Sequence, residues 1–151
     1  MVGDFKLDEL NKKILEILWE NARLSFAEIG KQVHLSAPAV ADRVRKMEEA
    51  GVIEGYRVQI NREAIGRPVS AFILMKVFHG REQAFIDFIQ KQDEVESCVN
   101  VTGEKGFIVQ VSLKSINQLD DFLERCTNVG ETTTMIVLST IIHSHLFFST
   151  S

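Results

Sequence analysis

The feature that most constrains this chain is a pair of short helices that begin close together. Ser25-Phe26-Ala27-Glu28 is a capping box, in which the serine hydroxyl accepts from the third helical amide and the glutamate accepts from the serine amide. Ser36 with Pro38 is a second start signal, because proline in the first turn removes an amide that has no helical partner. Only Val33-His34-Leu35-Ser36 joins them, so the sequence predicts crossed helices with a tight turn, a helix-turn-helix.

Close packing of this pair needs a small residue on the first of the two helices, and Gly30 supplies it. His34 stands where such turns favour glycine, which predicts a left-handed backbone there. The next helix is expected to run to about Ala50, where Gly51 supplies a left-handed stop. Its inward stripe is Val40, Val44 and Met47, and its outward positions are Ala37, Ala39, Ala41, Asp42, Arg43, Arg45 and Lys46.

Two further elements flank this pair. Apolar residues at three- and four-residue spacing, capped by Asp8, predict a first helix from about Asp8 to Asn21. After Gly51 the apolar spacing changes to two residues between Val52 and Ile60, and Gly55 can turn the chain. This pattern predicts a short hairpin, or wing.

The second half alternates between strand and helix patterns. The sequence predicts the order β-α-β-β-α-β, which folds as a four-stranded antiparallel sheet with both helices on one face, a ferredoxin-like sandwich. The fold class is therefore α+β, with an N-terminal winged helix-turn-helix. The expected elements are a strand at Val69–His79, a helix at Arg81–Gln92, a strand around 95–101, a strand at Phe107–Leu113, a helix over 116–126 and a strand from Thr132 to about His143.

The domain boundary is expected near Ile65-Gly66-Arg67-Pro68, because Pro68 disfavours helix at the residue before it. We predict a first domain at 1–62, a hinge at 63–68 and a second domain at 69–151. Charge changes at the same place: residues 1–62 carry as many basic as acidic residues, so the net charge of −4 belongs to the remainder.

Oligomerisation is expected from two strands that are apolar on both faces, around 72–75 and 135–138. Two helices can cover one face of the sheet only. A second copy of the chain is the simplest cover for the other face.

Several functional classes lack support. The start has no secretory signal and the apolar stretches are too short to cross a bilayer, so we expect a cytoplasmic protein without membrane contact. The two cysteines, Cys98 and Cys126, are expected to be buried in apolar packing. No catalytic triad, phosphate-binding glycine loop or carboxylate pair is present, so we expect no enzyme and no cofactor. His143 and His145 with His79 are a weak metal pattern, and solvated or interface histidines are the preferred interpretation.

The helix-turn-helix predicts binding to double-stranded DNA. The first residues of a recognition helix lie nearest the base edges, and here Ser36, Ala37, Pro38 and Ala39 are small enough for close approach. Arg43 is the long side chain expected to contact guanine. The predicted phosphate contacts are Lys31, Arg45, Lys46 and Arg57, and Asp42 lies on the same face.

The chain resembles the Lrp/AsnC (leucine-responsive and asparagine-responsive, feast/famine) regulators over nearly its whole length. The matching residues include Arg23-Leu24-Ser25, Leu35-Ser36, Arg43-Val44, Met47-Glu48, Gly51-Val52-Ile53, Val101-Thr102-Gly103 and Ile136-Val137-Leu138. The resemblance implies regulation of amino-acid metabolism, dimers that assemble into octamers with DNA wrapped outside, and an amino-acid effector bound where dimers meet. Residues 1–62 would then be the DNA-binding domain, and 69–151 the oligomerisation and effector-sensing domain.

The resemblance places that effector near the turn that reads Gly103-Glu104-Lys105-Gly106 here. Glycine lets backbone amides approach a carboxylate, and Glu104 would receive the ammonium. An ordinary hairpin connection remains the alternative. Thr132, Thr133 and Thr134 are a second candidate cluster, with plain strand residues as the alternative.

Two other functions stay open at this point. One is a constitutive architectural DNA-binding protein without an effector. The other is a small-molecule-binding metabolic module, because split βαβ sheets host many functions.

Overall fold

The computed structural model describes residues 5–141 and Leu146. Residues up to Gln59 form one compact unit, and Ile60–Ile141 form another. The contacts therefore divide the chain three residues before the predicted boundary at 62. Each unit has its own apolar core.

The first unit contains three helices: α1 is Glu9–Glu20, α2 is Phe26–Val33 and α3 is Ala37–Glu49. All three begin at the predicted caps. The Asp8 carboxylate accepts from the Asn11 amide at 2.7 Å. Both hydrogen bonds of the Ser25–Glu28 capping box are present, and the Ser36 hydroxyl oxygen accepts from the Ala39 amide.

The turn between α2 and α3 depends on two backbone features. His34 ends α2 in the left-handed conformation, with φ of 57°. The Leu35 amide then donates to the Gly30 carbonyl at 2.9 Å. A Cβ on Gly30 would lie 2.4 Å from the Leu35 carbonyl oxygen, so only glycine allows this approach. Both predictions, the left-handed His34 and the small residue at 30, are confirmed.

The core of the first unit is built from the predicted stripes of all three helices. Val40, Val44 and Met47 of α3 are buried, as predicted. They meet the apolar faces of α1 and α2 in one cluster with Ile14, Leu18, Ile29 and Val33. Burial of these side chains holds α3 in place and leaves its opposite face in solvent.

The hairpin predicted from Val52 to Ile60 is wrong. No strand occurs there, and all residues from 54 to 61 are exposed. Ile53 alone packs against the core of the first unit, and its amide donates to the Met47 carbonyl. The apolar residues do alternate, but Val58 at the end of the first unit and Ile60 at the start of the second are not packed, since they remain 85% and 57% exposed.

The second unit has the predicted order of elements. They are β1 at Val69–Val77, α4 at Glu82–Ile89, β2 at Val95–Asn100, β3 at Phe107–Leu113, α5 at Ile116–Cys126 and β4 at Gly130–Ile136. The strands form one antiparallel sheet in the order β2-β3-β1-β4. The strand predicted to reach about His143 ends at Ile136, residues 137–141 are not strand, and His143 lies outside the described residues.

One face of the sheet packs on both helices, as predicted. Ala71, Ile73 and Met75 of β1 are fully buried there. Phe85 of α4 and Phe122 of α5 are fully buried in the same cluster. This face is the core of the second unit.

The other face of the sheet is only partly covered by the chain itself. Phe72 of β1 pairs in register with Met135 of β4, and both point to this face. Phe72 is 36% exposed, Met135 is 50% exposed and Val99 of β2 is 51% exposed. Apolar side chains left in water on a sheet face are typical of an interaction surface.

Candidate nucleic-acid interface and effector turn

The exposed face of α3 begins at the small residues that follow the tight turn. Ser36 and Pro38 are exposed, whereas Ala37 and Ala39 are half-buried. The Ser36 side chain is engaged as the helix cap, with its hydroxyl oxygen 3.4 Å from the Ala39 nitrogen. The surface at this end of α3 therefore consists of short side chains.

The next turns of α3 carry an exposed ionic cluster. Arg45 Nη2 lies 2.7 Å from one Asp42 oxygen, and Lys46 Nζ lies 2.7 Å from the other. Arg45 Nη1 also binds Glu49 at 2.7 Å. The hydrogen bonds from Lys46 and Arg45 lower the pKa of Asp42. Because solvent-exposed ion pairs are weak, phosphate oxygens can replace these carboxylates.

Arg43 differs from the prediction, which placed it outward like its neighbours. Its side chain is only 28% exposed and turns toward α1. Nη1 donates to Asp8 Oδ2 at 2.8 Å and to Asn11 Oδ1 at 2.9 Å. The reason is geometric, since Arg43 lies on the flank of α3 that faces the start of α1. Its Nη1 is fully used, while Nε and Nη2 have no hydrogen bond to another residue that the structure describes.

Asp8 and Asn11 were not predicted as part of this site. Asn11 is 4% exposed, and its side-chain oxygen is satisfied by Arg43. The hydrogen bond from Arg43 is the main cause that lowers the pKa of Asp8. The sequence does contain a signal for this contact. Asn11 is a polar residue on the apolar side of α1, one turn after the capping Asp8. An open concavity of about 260 Å³ lies beside them, lined by Phe5, Asn11, Ala39, Asp42, Arg43 and Lys46.

The other two side chains predicted to contact phosphate are Lys31 and Arg57, which do not lie on α3. Lys31 is exposed in the last turn of α2. Arg57 is exposed in the segment where the hairpin does not form. The structure therefore brings Arg45 and Lys46 together on the exposed face of α3 and turns Arg43 toward α1. Lys31 and Arg57 lie outside the ionic cluster.

In the second unit, the turn between β2 and β3 has the expected glycine geometry. Gly103 has φ of +113°, and the Val101 amide donates to the Gly106 carbonyl at 2.8 Å. Glu104, predicted to receive an effector ammonium, instead accepts from Lys76 Nζ at 2.8 Å. That hydrogen bond lowers the pKa of Glu104. An internal ammonium thus occupies the place predicted for the ligand's ammonium, and Lys105 adds a second cation beside it.

The threonine cluster does not form one site. Thr133 pairs in register with Leu74 and points to the open face, whereas Thr134 pairs with Ile73 and Thr132 with Met75 on the helix face. Of the three threonines, only Thr133 lies on the sheet face of Lys76, whose ammonium donates to Glu104.

A second concavity of about 260 Å³ opens between α4 and the sheet edge, lined by Phe85, Ile86, Ile89, Gln90, Cys98, Asn100 and Phe107. The prediction that both cysteines are buried is wrong for Cys98, which is exposed at this edge. Cys126 is fully buried, and burial raises the pKa of its thiol to about 11.

His143 and His145 of the weak metal pattern lie outside the described residues. Among residues 5–141 and Leu146, no group of three His, Cys, Asp or Glu side chains could hold a metal ion. Within the same part of the chain, no helix is long and apolar enough to span a membrane.

Comparison with known proteins assigns both units. A family model described as winged helix-turn-helix DNA-binding matches residues 7–54, and one described as Lrp/AsnC ligand binding domain matches residues 70–147. The chain belongs to the Lrp/AsnC family. Like the HTH-type regulators in this family, this Lrp/AsnC protein is a DNA-binding transcriptional regulator, which confirms the predicted function and fold class.

Similar Lrp/AsnC proteins match along nearly their whole length. The uncharacterized HTH-type transcriptional regulator YezC of Bacillus subtilis is 37% identical over 133 residues, which cover 88% of this chain and 94% of YezC. The structure of B. subtilis LrpC superimposes with a TM-score of 0.88 at 28% identity, covering 93% of this chain and all of LrpC. A transcriptional regulator from Neisseria meningitidis in complex with L-Met has a TM-score of 0.86 at 28% identity, covering 92% of this chain and 94% of that one.

The contact of Arg43 with Asp8 predicts a pH-dependent stability of the first unit. Asn caps helices well, so Asp8→Asn should remove the charge and keep the cap. After allowance for solvent screening, we expect a loss of about 0.5–1 kcal/mol at pH 7. Because Arg43 lowers the pKa of Asp8 in the folded state, this stability is present above the unfolded-state pKa, about 3.9. It is lost as the pH falls through the folded-state pKa.

Urea unfolding followed by the fluorescence of Trp19, the single tryptophan, measures this difference in the first unit. Glu9→Gln is the matched control, because Glu9 is 85% exposed and pairs only with Lys12 among the described residues. The assignment is contradicted if both variants lose the same stability at pH 7, or if the loss in Asp8→Asn does not decrease as the pH falls below the unfolded-state pKa.

Proposed function

We propose that this Lrp/AsnC regulator acts in the cytoplasm as a homo-oligomer that binds specific operators through α3 and responds to an amino acid. The observation that carries the DNA part is the exposed face of α3, where Arg45 and Lys46 are neutralised only by exposed carboxylates. No catalytic step belongs to this proposal.

We assign two kinds of DNA contact to the residues of this interface. Ser36, Ala37, Pro38 and Ala39 lie at the start of α3, where a recognition helix approaches base edges, and their small size permits close contact. Arg45, Lys46, Lys31 and Arg57 contact phosphates. Asp42 would repel phosphate, so its proposed DNA contact is with a base amino group such as cytosine N4. It holds Arg45 and Lys46 in place until DNA binds.

Arg43 is proposed as a guanine contact with a restricted geometry. Asp8 and Asn11 hold Nη1, so the end-on pair of Nη1 and Nη2 is not available while this contact persists. Nε and Nη2 remain as two parallel donors, which is the arrangement that fits guanine O6 and N7. A guanidinium already oriented by α1 loses less conformational freedom on binding.

Homo-oligomerisation is supported by the open face of the sheet, which includes Phe72, Val99 and Met135. The 52–60 segment adds Tyr56, Val58 and Ile60, all exposed and spaced two apart. A second copy of the chain supplies an apolar cover for the sheet face without any new element. We also propose that such dimers assemble further into an octamer.

An amino-acid effector is supported by the ligand-binding family of the second unit and by the related Neisseria protein that was solved with L-Met. The proposed contacts are the turn residues Gly103, Glu104, Lys105 and Gly106, with Thr133 on the same sheet face and Thr134 behind it. Regulation of amino-acid metabolism follows from such an effector.

One observation favours a second candidate, a constitutive architectural DNA-binding protein. Lys76 already neutralises Glu104, so the turn is stable without a ligand ammonium. In that case the chain binds DNA in the same way, and no amino acid changes its affinity.

The phosphate contacts predict a change in salt dependence. Arg45→Ala/Lys46→Ala should weaken binding to all duplexes alike, because phosphates carry no sequence information. The slope of log affinity against log salt should become shallower by about 1.8, which is about 0.9 for each lost contact. Fluorescence anisotropy with one operator and one random duplex over a salt series measures both quantities.

Lys114→Ala is the control, since Lys114 is exposed in the second unit and should leave the slope unchanged. Arg43→Ala should instead reduce the preference for operator over random duplex by about 1–3 kcal/mol. Arg43→Lys should not restore it, because an ammonium lacks the planar fork. An unchanged salt slope in the double variant refutes this placement of the interface.

The effector proposal predicts ligand-dependent stability and assembly. L-methionine should raise the melting temperature of the second unit by mass action, and sizing chromatography with light scattering should show whether the oligomer changes. Glu104→Gln should reduce the thermal shift, whereas Glu124→Gln, exposed on α5, should not. The absence of any shift with L-methionine and every other common amino acid would instead establish the constitutive alternative.

A further inference from the structure

The side-chain amide of Asn11 is engaged at one end only. Asn11 is 4% exposed, and its Oδ1 accepts from Arg43 Nη1 at 2.9 Å. Arginine has no acceptor, so this contact fixes which end of the amide is oxygen and which end is the Nδ2 donor. Nδ2 makes no hydrogen bond to another residue that the structure describes. A donor left so close to the core costs free energy unless a molecule from outside supplies an acceptor.

The Nδ2 donor can be reached from the concavity of about 260 Å³ beside α3. In the described part of the chain, every side-chain nitrogen or oxygen that is shut off from solvent has a hydrogen-bond partner, so Nδ2 is not shut off. Asn11 lines the concavity together with Asp42, Arg43 and Lys46 of α3. The same stretch of α3 is proposed to bind DNA. The concavity therefore offers a donor to an acceptor group that arrives with the duplex.

The charges around the concavity favour an uncharged acceptor over a phosphate. Arg43 is paired with Asp8 at 2.8 Å, and Lys46 is paired with Asp42 at 2.7 Å. Each cation is thus matched by a carboxylate. If Lys46 turns outward to a phosphate, as proposed, the concavity becomes still less favourable to a second phosphate. A keto oxygen of a base is a neutral acceptor, and these carboxylates do not repel it as they repel an anion.

The apolar part of the lining distinguishes between the two bases that carry a keto oxygen in the major groove. Phe5 and Ala39 form this part. Thymine has O4 and its 5-methyl group side by side on the major-groove edge, whereas guanine has O6 beside N7 and no methyl group. A donor next to an apolar wall therefore matches thymine. Cytosine and adenine present an amino group, which would face the Nδ2 donor without a hydrogen bond.

We propose that this concavity, which we name the α1–α3 pocket, binds the edge of a thymine next to the guanine that Arg43 contacts. Thymine O4 accepts from Asn11 Nδ2, and the methyl group packs against Phe5 and Ala39. Asp42 then accepts from the cytosine paired with that guanine. The inference rests on the proposed function, in which α3 enters the major groove. It adds α1 to the elements that recognise sequence and makes Asn11 a specificity-determining residue.

The first test changes the chemistry of the DNA. Selection from a pool of random duplexes identifies the preferred site, and we expect a thymine beside the guanine whose preference Arg43→Ala removes. Replacing this thymine by uracil deletes only the methyl group and should weaken wild-type binding about fourfold. Replacing it by 5-methylcytosine, with guanine opposite, keeps the methyl group and exchanges O4 for an amino group. Binding should then weaken about tenfold, because two donors face each other.

The second test changes the protein. Asn11→Asp exchanges the Nδ2 donor for a carboxylate oxygen and keeps an acceptor for Arg43. At the thymine position this variant should prefer cytosine or adenine, whose amino groups donate in the major groove. A reversal of base preference does not depend on how much the added charge weakens binding overall. Asn21→Asp is the control, because it adds the same charge to an exposed residue after α1 and should keep the preference for thymine.

The outcomes separate this inference from the proposed function. If the wild type enriches a site and Asn11→Asp keeps the same base preference at every position, the inference is overturned and the proposed function stands. A loss of affinity for all duplexes alike in Asn11→Asp, larger than in Asn21→Asp, overturns it in favour of a phosphate in the pocket. Equal binding of thymine and uracil overturns the assignment of thymine. If the wild type enriches no sequence at all, the proposed function fails and the inference fails with it.

Discussion

The close approach of α2 and α3 is the constraint on which the DNA-binding unit depends. The Leu35 carbonyl lies where a side chain at position 30 would be, so glycine is required there. His34 accepts a left-handed backbone to make the turn. With the crossing fixed in this way, burial of Val40, Val44 and Met47 decides which side of α3 faces the core. The opposite side, with Arg45 and Lys46, is then necessarily exposed.

Charge and packing have separate roles in this molecule. Apolar burial builds two independent cores, one in each unit. The ion pairs instead set the direction of particular side chains. Asp8 pairs with Arg43 and orients it toward α1. Asp42 pairs with both Arg45 and Lys46. Glu96 pairs with Arg62. Ion pairs with exposed partners contribute little to stability, so their value here lies in orientation.

The sequence predicted most of the fold because caps and apolar spacing are local signals. The caps at Asp8, Ser25 and Ser36 gave the helix starts. The missed features depend on contacts far apart in the chain. Alternation from Val52 to Ile60 resembles a strand, but a strand needs a partner. The direction of Arg43 depends on Asp8 and Asn11, and the ammonium beside Glu104 comes from Lys76. Spacing along the chain contains no signal for such pairs.

The proposed DNA binding depends on α3 presenting its Ala37–Lys46 face to the duplex. Amide hydrogen exchange of the full-length protein, with and without a duplex that it binds at low salt, tests this most directly. We expect slower amide exchange at the start of α3 and in the turn before it when DNA is bound. The amide exchange of α4 and α5 in the second unit should stay the same. Protection confined to the second unit, with α3 exchanging as in the free protein, would contradict it.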